Sequence, residues 1–387
     1  MIRKRNFARA FKKSLKDPAY AAQVLRKRFA SYMSYRFGSG KSAWPETVSL
    51  FVTYACNLRC KMCGQWGEDG WARKLPGDVV SQVVPIERLE LLVDDIAKFK
   101  PAITLFGGEP FLYPEWERLV GYIKSKGLRV NVVTNGTVLG KIVDRVVDSG
   151  IDELIFSLDG PEEIHDEIRS GAGIFKKATA AFTALNELKK ARNVGHPKVN
   201  VNTTIFETNY QRLPEVVKVA DSIGADAITF HHLIFQSHDI CAENSKVFKN
   251  EFGLSCNDWE GFAVDSLPDI DSEILIKSLH ELKTLKSEVS ITVYPNYPDE
   301  EIVRYYSSFD FVSDSYNPRC ISPWTTAYIF PNGDVKSCLD VCFIAGNINK
   351  ERFSDIWNND SFKHYRSVVK RRGYFPACTR CTEFYRS

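Results

Sequence analysis

No stretch of the 387 residues comes near the roughly 18 consecutive apolar residues that would span a bilayer. The opening MIRKRNFARAFKKS has no continuous apolar segment to act as a secretory signal. Both absences point to a cytoplasmic location. Histidine is scarce, with seven in the chain, and a net charge of +3 shows no overall pull toward a partner of either sign. What is present excludes a disordered chain: 44% apolar, 12% aromatic and 26% charged residues are ordinary for a globular protein. The length allows two or three domains.

Charge is uneven along the chain. Residues 1–40 carry eleven Lys and Arg against one acid, Asp17, so the remainder is net negative. Phe7, Phe11 and Leu15, then Val24, Leu25, Phe29 and Tyr32, recur among these basic residues at helical spacing. The arm, residues 1–45, reads either as a helix packed on the body or as a surface for anionic lipid. No basic stripe with aromatic platforms continues into the body, so nucleic acid is not expected.

The ten cysteines are clustered. Cys56, Cys60 and Cys63 form a CxxxCxxC run after the strand-like segment 48–54. Cys241 and Cys256 lie mid-chain without a partner motif. Cys320, Cys338, Cys342, Cys378 and Cys381 occupy the C-terminal part. In a cytosolic chain such clusters suggest metal or redox chemistry before disulfides. Three thiolates in one short loop supply three of the four ligands of a cubane cluster and leave one iron open. A structural zinc site would need a fourth Cys or His nearby, and no histidine is close in sequence.

The cysteine run, the strand before it and Gly107-Gly108-Glu109-Pro110 after it together resemble the radical S-adenosylmethionine superfamily. That resemblance implies a 4Fe-4S cluster held by Cys56, Cys60 and Cys63, whose fourth iron is chelated by S-adenosylmethionine. An aromatic residue often precedes the third cysteine in that family; here Met62 does. The resemblance also implies an α/β fold, a partial (β/α)6 TIM-like barrel, over residues 46–235. Apolar runs near 48–54, 102–106, 128–133, 153–158, 198–205 and 226–231 alternate with helical patterns near 86–99, 115–126, 138–149, 174–193 and 211–223, as a parallel sheet requires. The candidate ligands then fall at strand C-terminal ends.

Carried over by position, Gly107 and Gly108 let backbone approach the methionyl amine, Glu109 offers it a carboxylate, and Pro110 completes the motif. Ser157 is placed for the ribose or the methionyl carboxylate. Arg169 suits a carboxylate through its planar fork, against a surface ion pair as the alternative. Thr134-Asn135-Gly136 reads equally well as an ordinary turn. Asn202 reads as a residue reaching the ribose or as a solvent-facing position.

In the C-terminal part, Cys320 and Cys338 flank Gly333 in a Cys-x12-Gly-x4-Cys spacing, and Cys378-x2-Cys381 follows. Residues 328–336 read as a hairpin with an Asn-Gly turn. This resembles the short "twitch" form of the SPASM extension, a small β-hairpin/helix auxiliary-cluster domain over residues 319–387. It implies that Cys320, Cys338, Cys378 and Cys381 hold one auxiliary 4Fe-4S cluster; an all-cysteine zinc site is the alternative. Residues 236–318 link the two units and line the substrate pocket. Cys342 is left over as a buried thiol, an alternate ligand or a proton-transfer group. Asp340 and Tyr328 are candidates for a base.

The resemblance implies an enzyme that cleaves S-adenosylmethionine reductively to a 5′-deoxyadenosyl radical. That radical takes hydrogen from a small polar metabolite, carbohydrate-like or lipid-linked, with the auxiliary cluster as electron acceptor in a dehydrogenase-type oxidation. A low-potential donor such as flavodoxin or ferredoxin would feed it. The alternatives are a maturase of a ribosomally made peptide and a non-catalytic iron–sulfur scaffold.

Overall fold

The structure, a computed structural model, describes residues 18–386. Phe7, Phe11 and Leu15 of the arm lie outside the described residues. Ten strands form one sheet in the order β10-β9-β8-β1-β2-β3-β4-β5-β6-β7. These are β1 (Thr47–Thr53), β2 (Ala102–Gly107), β3 (Arg129–Thr134), β4 (Glu153–Ser157), β5 (Lys198–Thr204), β6 (Ala227–His231), β7 (Ser290–Tyr294), β8 (Thr326–Ile329), β9 (Asp334–Lys336) and β10 (Gly346–Asn347). Every neighbouring pair from β8 through β1 to β7 is parallel.

The sequence β1, Thr-Val-Ser-Leu-Phe-Val-Thr, is buried on both faces from Val48 onward. That is what a strand enclosed between two parallel neighbours requires. Between strands, helices lay an apolar stripe on the sheet: Leu89, Leu92, Val93 and Ile96 of Ile86–Ala97, and Leu119, Val120 and Ile123 of Trp116–Ser125 are buried. All six expected strands are present, and the intervening helices with them.

Two features extend the expected barrel. A seventh parallel strand, β7, comes from the segment read as a linker and pairs with β6 from Ala227↔Ser290 to His231↔Tyr294. At the other edge β8 pairs in parallel with β1, from Thr47↔Thr326 to Leu50↔Ile329. The hairpin β8–β9 turns at residues 330–333, where Gly333 has φ +88° and its amide donates to the Phe330 carbonyl at 2.8 Å. The C-terminal hairpin therefore continues the barrel sheet.

The helix Pro18–Phe37 packs on this end, with Tyr35 edge-on to Trp324 at 4.9 Å and Arg28 paired with Glu46 at 3.0 Å. Its outer face leaves Leu25, Phe29, Met33 and Phe37 exposed. No helix among the described residues is long and apolar enough to cross a membrane.

Candidate active site

The cysteine loop leaves β1 at its C-terminal end and is held by backbone contacts from β2. The Gly108 amide donates to the Thr53 carbonyl at 2.9 Å and the Glu109 amide to the Ala55 carbonyl at 2.8 Å. A Cβ on Gly108 would stand 2.1 Å from the Ala55 oxygen, and Gly107 has φ +143°. Close approach of two chain segments is thus what the glycine pair permits here. On the other side the Lys61 amide donates to the Ile168 carbonyl at 2.9 Å. Asn57 reaches the Thr137 hydroxyl at 2.8 Å, and the Asn135 side-chain amide donates to Asn57 at 3.1 Å.

Each thiol of the loop accepts a hydrogen bond: Cys56 from the Leu58 amide, Cys60 from Arg169 Nη1 at 3.6 Å, and Cys63 from the Trp66 amide at 3.3 Å. Burial nevertheless pushes the Cys56 thiol up to about 12 and raises Cys60 as well. Bare thiolates are unstable in this setting; iron would supply the missing positive charge.

Spacing agrees with a cluster over a single ion. Zn–S bonds of about 2.3 Å put tetrahedral sulfurs about 3.8 Å apart. Among the described residues, no three of the sulfurs of Cys56, Cys60 and Cys63 lie mutually within 4.8 Å, nor do any three of Cys320, Cys338, Cys378 and Cys381. Thiols gripping separate corners of a cubane stand further apart than ligands of one ion.

Glu109 is buried next to the loop. Its carboxylate accepts from Thr134 Oγ1 at 2.8 Å, the Asn135 amide at 2.8 Å and the Phe111 amide at 3.3 Å. Burial outweighs these bonds and raises its pKa to about 7. Thr134 and Asn135, for which an ordinary turn is one of two equal readings, are therefore residues that hold Glu109. Pro110 opens the short 3-10 turn Pro110–Leu112 that Glu109 caps.

Arg169 closes the helix Glu162–Arg169 and is not on the surface. Its Nε donates to Asp159 Oδ2 at 2.6 Å and its Nη2 lies 2.5 Å from the same oxygen. Asp159 is wholly buried and also accepts from the Thr204 amide at 2.9 Å. The surface ion pair considered for Arg169 is replaced by a buried one, because Asp159 follows β4 at the barrel mouth. Any ligand carboxylate would meet only the N–H groups that Asp159 and Cys60 leave over. Ser157 ends β4, half-buried, in register with Asn202 on β5.

In the second cysteine set, burial raises the Cys320 thiol well above its ordinary range, and the neighbouring thiols of Cys338, Cys378 and Cys381 add to that rise. Burial drives Cys338 and Cys378 up to about 12, and the Tyr365 hydroxyl hydrogen-bonds Cys338. The turn Pro376–Arg380 is pinned by Arg380, which donates to the carbonyls of Tyr305 at 2.6 Å and Phe309 at 2.9 Å, with its guanidinium 4.0 Å from the Phe235 ring centroid. These donor sets fit two iron–sulfur clusters.

The turn Asp258–Phe262 lies over the cysteine loop: a Cβ on Gly64 would strike the Phe262 ring at 2.3 Å. Lys336 of β9 stands 3.4 Å from Asp258. Tyr328 of β8 meets Phe106 edge-on at 5.9 Å, and burial raises its hydroxyl well above the ordinary range. Asp340 is pushed up to about 7 by burial and the charge of Asp258. Cys342, expected as an unpaired thiol, instead forms a disulfide with Cys256, with Cα atoms 5.3 Å apart. No local spacing could have paired them, since 86 residues separate them.

Comparison with known proteins gives two family matches: Radical SAM superfamily over residues 50–220 and SPASM, an iron-sulfur cluster-binding domain, over residues 320–382. The AdoMet-dependent heme synthase of Methanosarcina barkeri is 24% identical over 347 residues, 86% of this chain and 88% of that protein. The pre-heme d1 synthase of Dinoroseobacter shibae is 32% identical over 194 residues, 49% of this chain and 44% of that protein. Streptococcus suis SuiB, solved bound to its precursor peptide SuiA, superposes with a TM-score of 0.61 at 14% identity, covering 95% of this chain and 76% of that one. A structure of anSMEcpe with bound AdoMet gives a TM-score of 0.53 at 16% identity, covering 84% and 81%.

Proposed function

Because this chain is a radical S-adenosylmethionine enzyme with a C-terminal SPASM-type domain and uses 4Fe-4S clusters and S-adenosylmethionine as cofactors, we propose that it oxidises a small polar metabolite at an unactivated C–H bond. When bound, the cluster and S-adenosylmethionine supply one-electron cleavage of a sulfonium and a carbon radical that abstracts hydrogen. Cys56, Cys60 and Cys63 would hold that cluster. Glu109, fixed by Thr134 and Asn135, offers its carboxylate to the methionyl amine, and Gly107, Gly108 and Pro110 shape the backbone around it. Ser157 and the free N–H groups of Arg169 face the same end of the barrel. Cys320, Cys338, Cys378 and Cys381 would hold the auxiliary cluster, which would supply an acceptor for the electron lost from the substrate radical.

One observation carries the oxidative reading: the sheet is continuous between the two cysteine sets, with β8 hydrogen-bonded to β1. That register fixes the hairpin between Cys320 and Cys338 against the strand that leads into Cys56, which supports an auxiliary cluster held at a set distance from the first. The match over 86% of this chain to a protein named as a heme synthase supports a small-molecule substrate over a peptide. A peptide substrate, the second reading, draws on likeness of fold to SuiB. The helix Pro18–Phe37 supports a peripheral role at anionic lipid, since Leu25, Phe29, Met33 and Phe37 are exposed at four-residue steps beside Arg26 and Arg36.

The decisive experiment supplies deuterium-labelled metabolites and peptides to the anaerobically reduced, cluster-loaded enzyme. Deuterium in 5′-deoxyadenosine from a small metabolite supports the proposal; label arriving only from peptides favours the second reading.

A further inference from the structure

Cys256, Asp258 and Cys342 stand apart from both cysteine sets. Asp258 Oδ1 is 3.7 Å from the Cys342 sulfur, and these two sulfurs and the carboxylate lie mutually within 4.8 Å. Among the described residues this is the one trio of Cys, His, Asp or Glu drawn that close. The closeness of the two sulfurs is that of their disulfide, so the trio becomes a donor set for one ion once that bond is reduced. The Cys342 amide donates to the Cys256 sulfur at 3.0 Å, and the Ser245 hydroxyl holds the Cys256 amide at 3.1 Å. Asp340, which interacts electrostatically with Asp258, has a buried Oδ1 without a hydrogen-bond partner. Lys336 is the cation facing the group, 3.4 Å from Asp258. Two thiolates and Asp258 would outweigh it, leaving room for a divalent charge.

We propose that Cys256, Asp258 and Cys342 form a third centre, a disulfide that on reduction binds one soft divalent cation of the zinc class through two thiolates and a carboxylate. Zinc takes this donor set at about 2.3 Å for sulfur and about 2.0–2.2 Å for oxygen. The sulfurs must part to about 3.8 Å, which side-chain rotation achieves between Cα atoms 5.3 Å apart. A dithiol reductant delivers two electrons and two protons: the S–S bond breaks, two thiols form, and the reductant closes to its own disulfide. Binding of the cation then releases both thiol protons to solvent. Three protein ligands leave a fourth position for water or another donor. In either state the centre fastens the turn over the cysteine loop to the segment that follows Cys338.

The test uses the full chain with both iron–sulfur clusters loaded, treated anaerobically with a dithiol, desalted and titrated with Co²⁺ or Zn²⁺. We expect two newly alkylatable thiols after reduction, one equivalent of metal with a thiolate-to-cobalt absorption band, and unchanged iron. Without reduction no such band appears. Cys342→Ser and Cys256→Ser abolish it, and Asp258→Asn weakens binding by about tenfold or more. An irreducible bond in the folded chain, a band that survives both serine variants, or iron lost on Cys342→Ser would overturn the proposal; the last would make Cys342 a ligand of the auxiliary cluster.

Discussion

The Arg169 guanidinium bridges the Asp159 carboxylate at 2.6 Å and the Cys60 sulfur at 3.6 Å. A buried ion pair broken on one side typically costs about 3–5 kcal/mol, because the remaining charge is stranded. Arg169→Met should lose about that much in urea denaturation, and adding Asp159→Asn should restore most of it. Hydrogen bonds to cluster sulfurs help set the potential. The loaded Arg169→Met variant should therefore titrate at a more negative potential by EPR than the native chain.

Glu109 sets a pH dependence. Its folded pKa of about 7 exceeds the ordinary 4.5, so the stability it contributes is complete below the ordinary value and is lost as pH rises through about 7. A bound ammonium group reverses that balance by favouring the ionised form. Calorimetry on the cluster-loaded enzyme should show affinity for S-adenosylmethionine rising by up to about tenfold from pH 6 to pH 8. Glu109→Gln should flatten the profile and bind about tenfold more weakly at pH 8, the loss expected for one charge-assisted hydrogen bond.

Iron content distinguishes the cysteines. Two cubanes contain about eight irons per chain. Cys320→Ala or Cys381→Ala should leave about four, while Cys241→Ala, whose thiol donates to the Trp259 carbonyl at 3.6 Å, should leave the total unchanged.

His165 and His232 are buried neutral, their pKa values lowered to about 3 chiefly by desolvation. At these two sites the unfolded chain binds more protons between about pH 6.5 and 3, so their contribution to stability is complete above 6.5 and falls on acidification. Each contributes at most about 1.4 kcal/mol per pH unit. Glu109 contributes equally to the native chain and to His232→Phe, which retains the ring contacts with Tyr305 and Tyr297, so from pH 7.5 to 5.5 the native guanidinium midpoint should drop relative to that of the variant.

The exposed row on Pro18–Phe37 predicts pelleting with phosphatidylserine vesicles that diminishes in Phe29→Ser with Phe37→Ser. Equal pelleting of both forms would remove lipid as the partner.

The barrel was readable because β1 to β6 alternate with helical patterns and each ends in a turn signal. β7 was not, since Ser290–Tyr294 is only half-buried and lies in a segment without that alternation. At the site, the cysteines and Glu109 were visible through their spacing. Asp159, within Ser157-Leu158-Asp159-Gly160, has no local signature of its role, which depends on Arg169 folding back toward it from the end of the helix Glu162–Arg169. Thr134 resembled any turn residue until the burial of Glu109 gave it a partner. The joining of Cys256 to Cys342 is a tertiary fact with no local signature.

The parallel register of β8 on β1 makes the auxiliary region structurally inseparable from the catalytic one. A chain cut before Thr326 would leave β1, an apolar strand built to be enclosed, as a bare rim with unpaired amides and carbonyls. Such a truncation would sacrifice solubility before it revealed anything about electron flow.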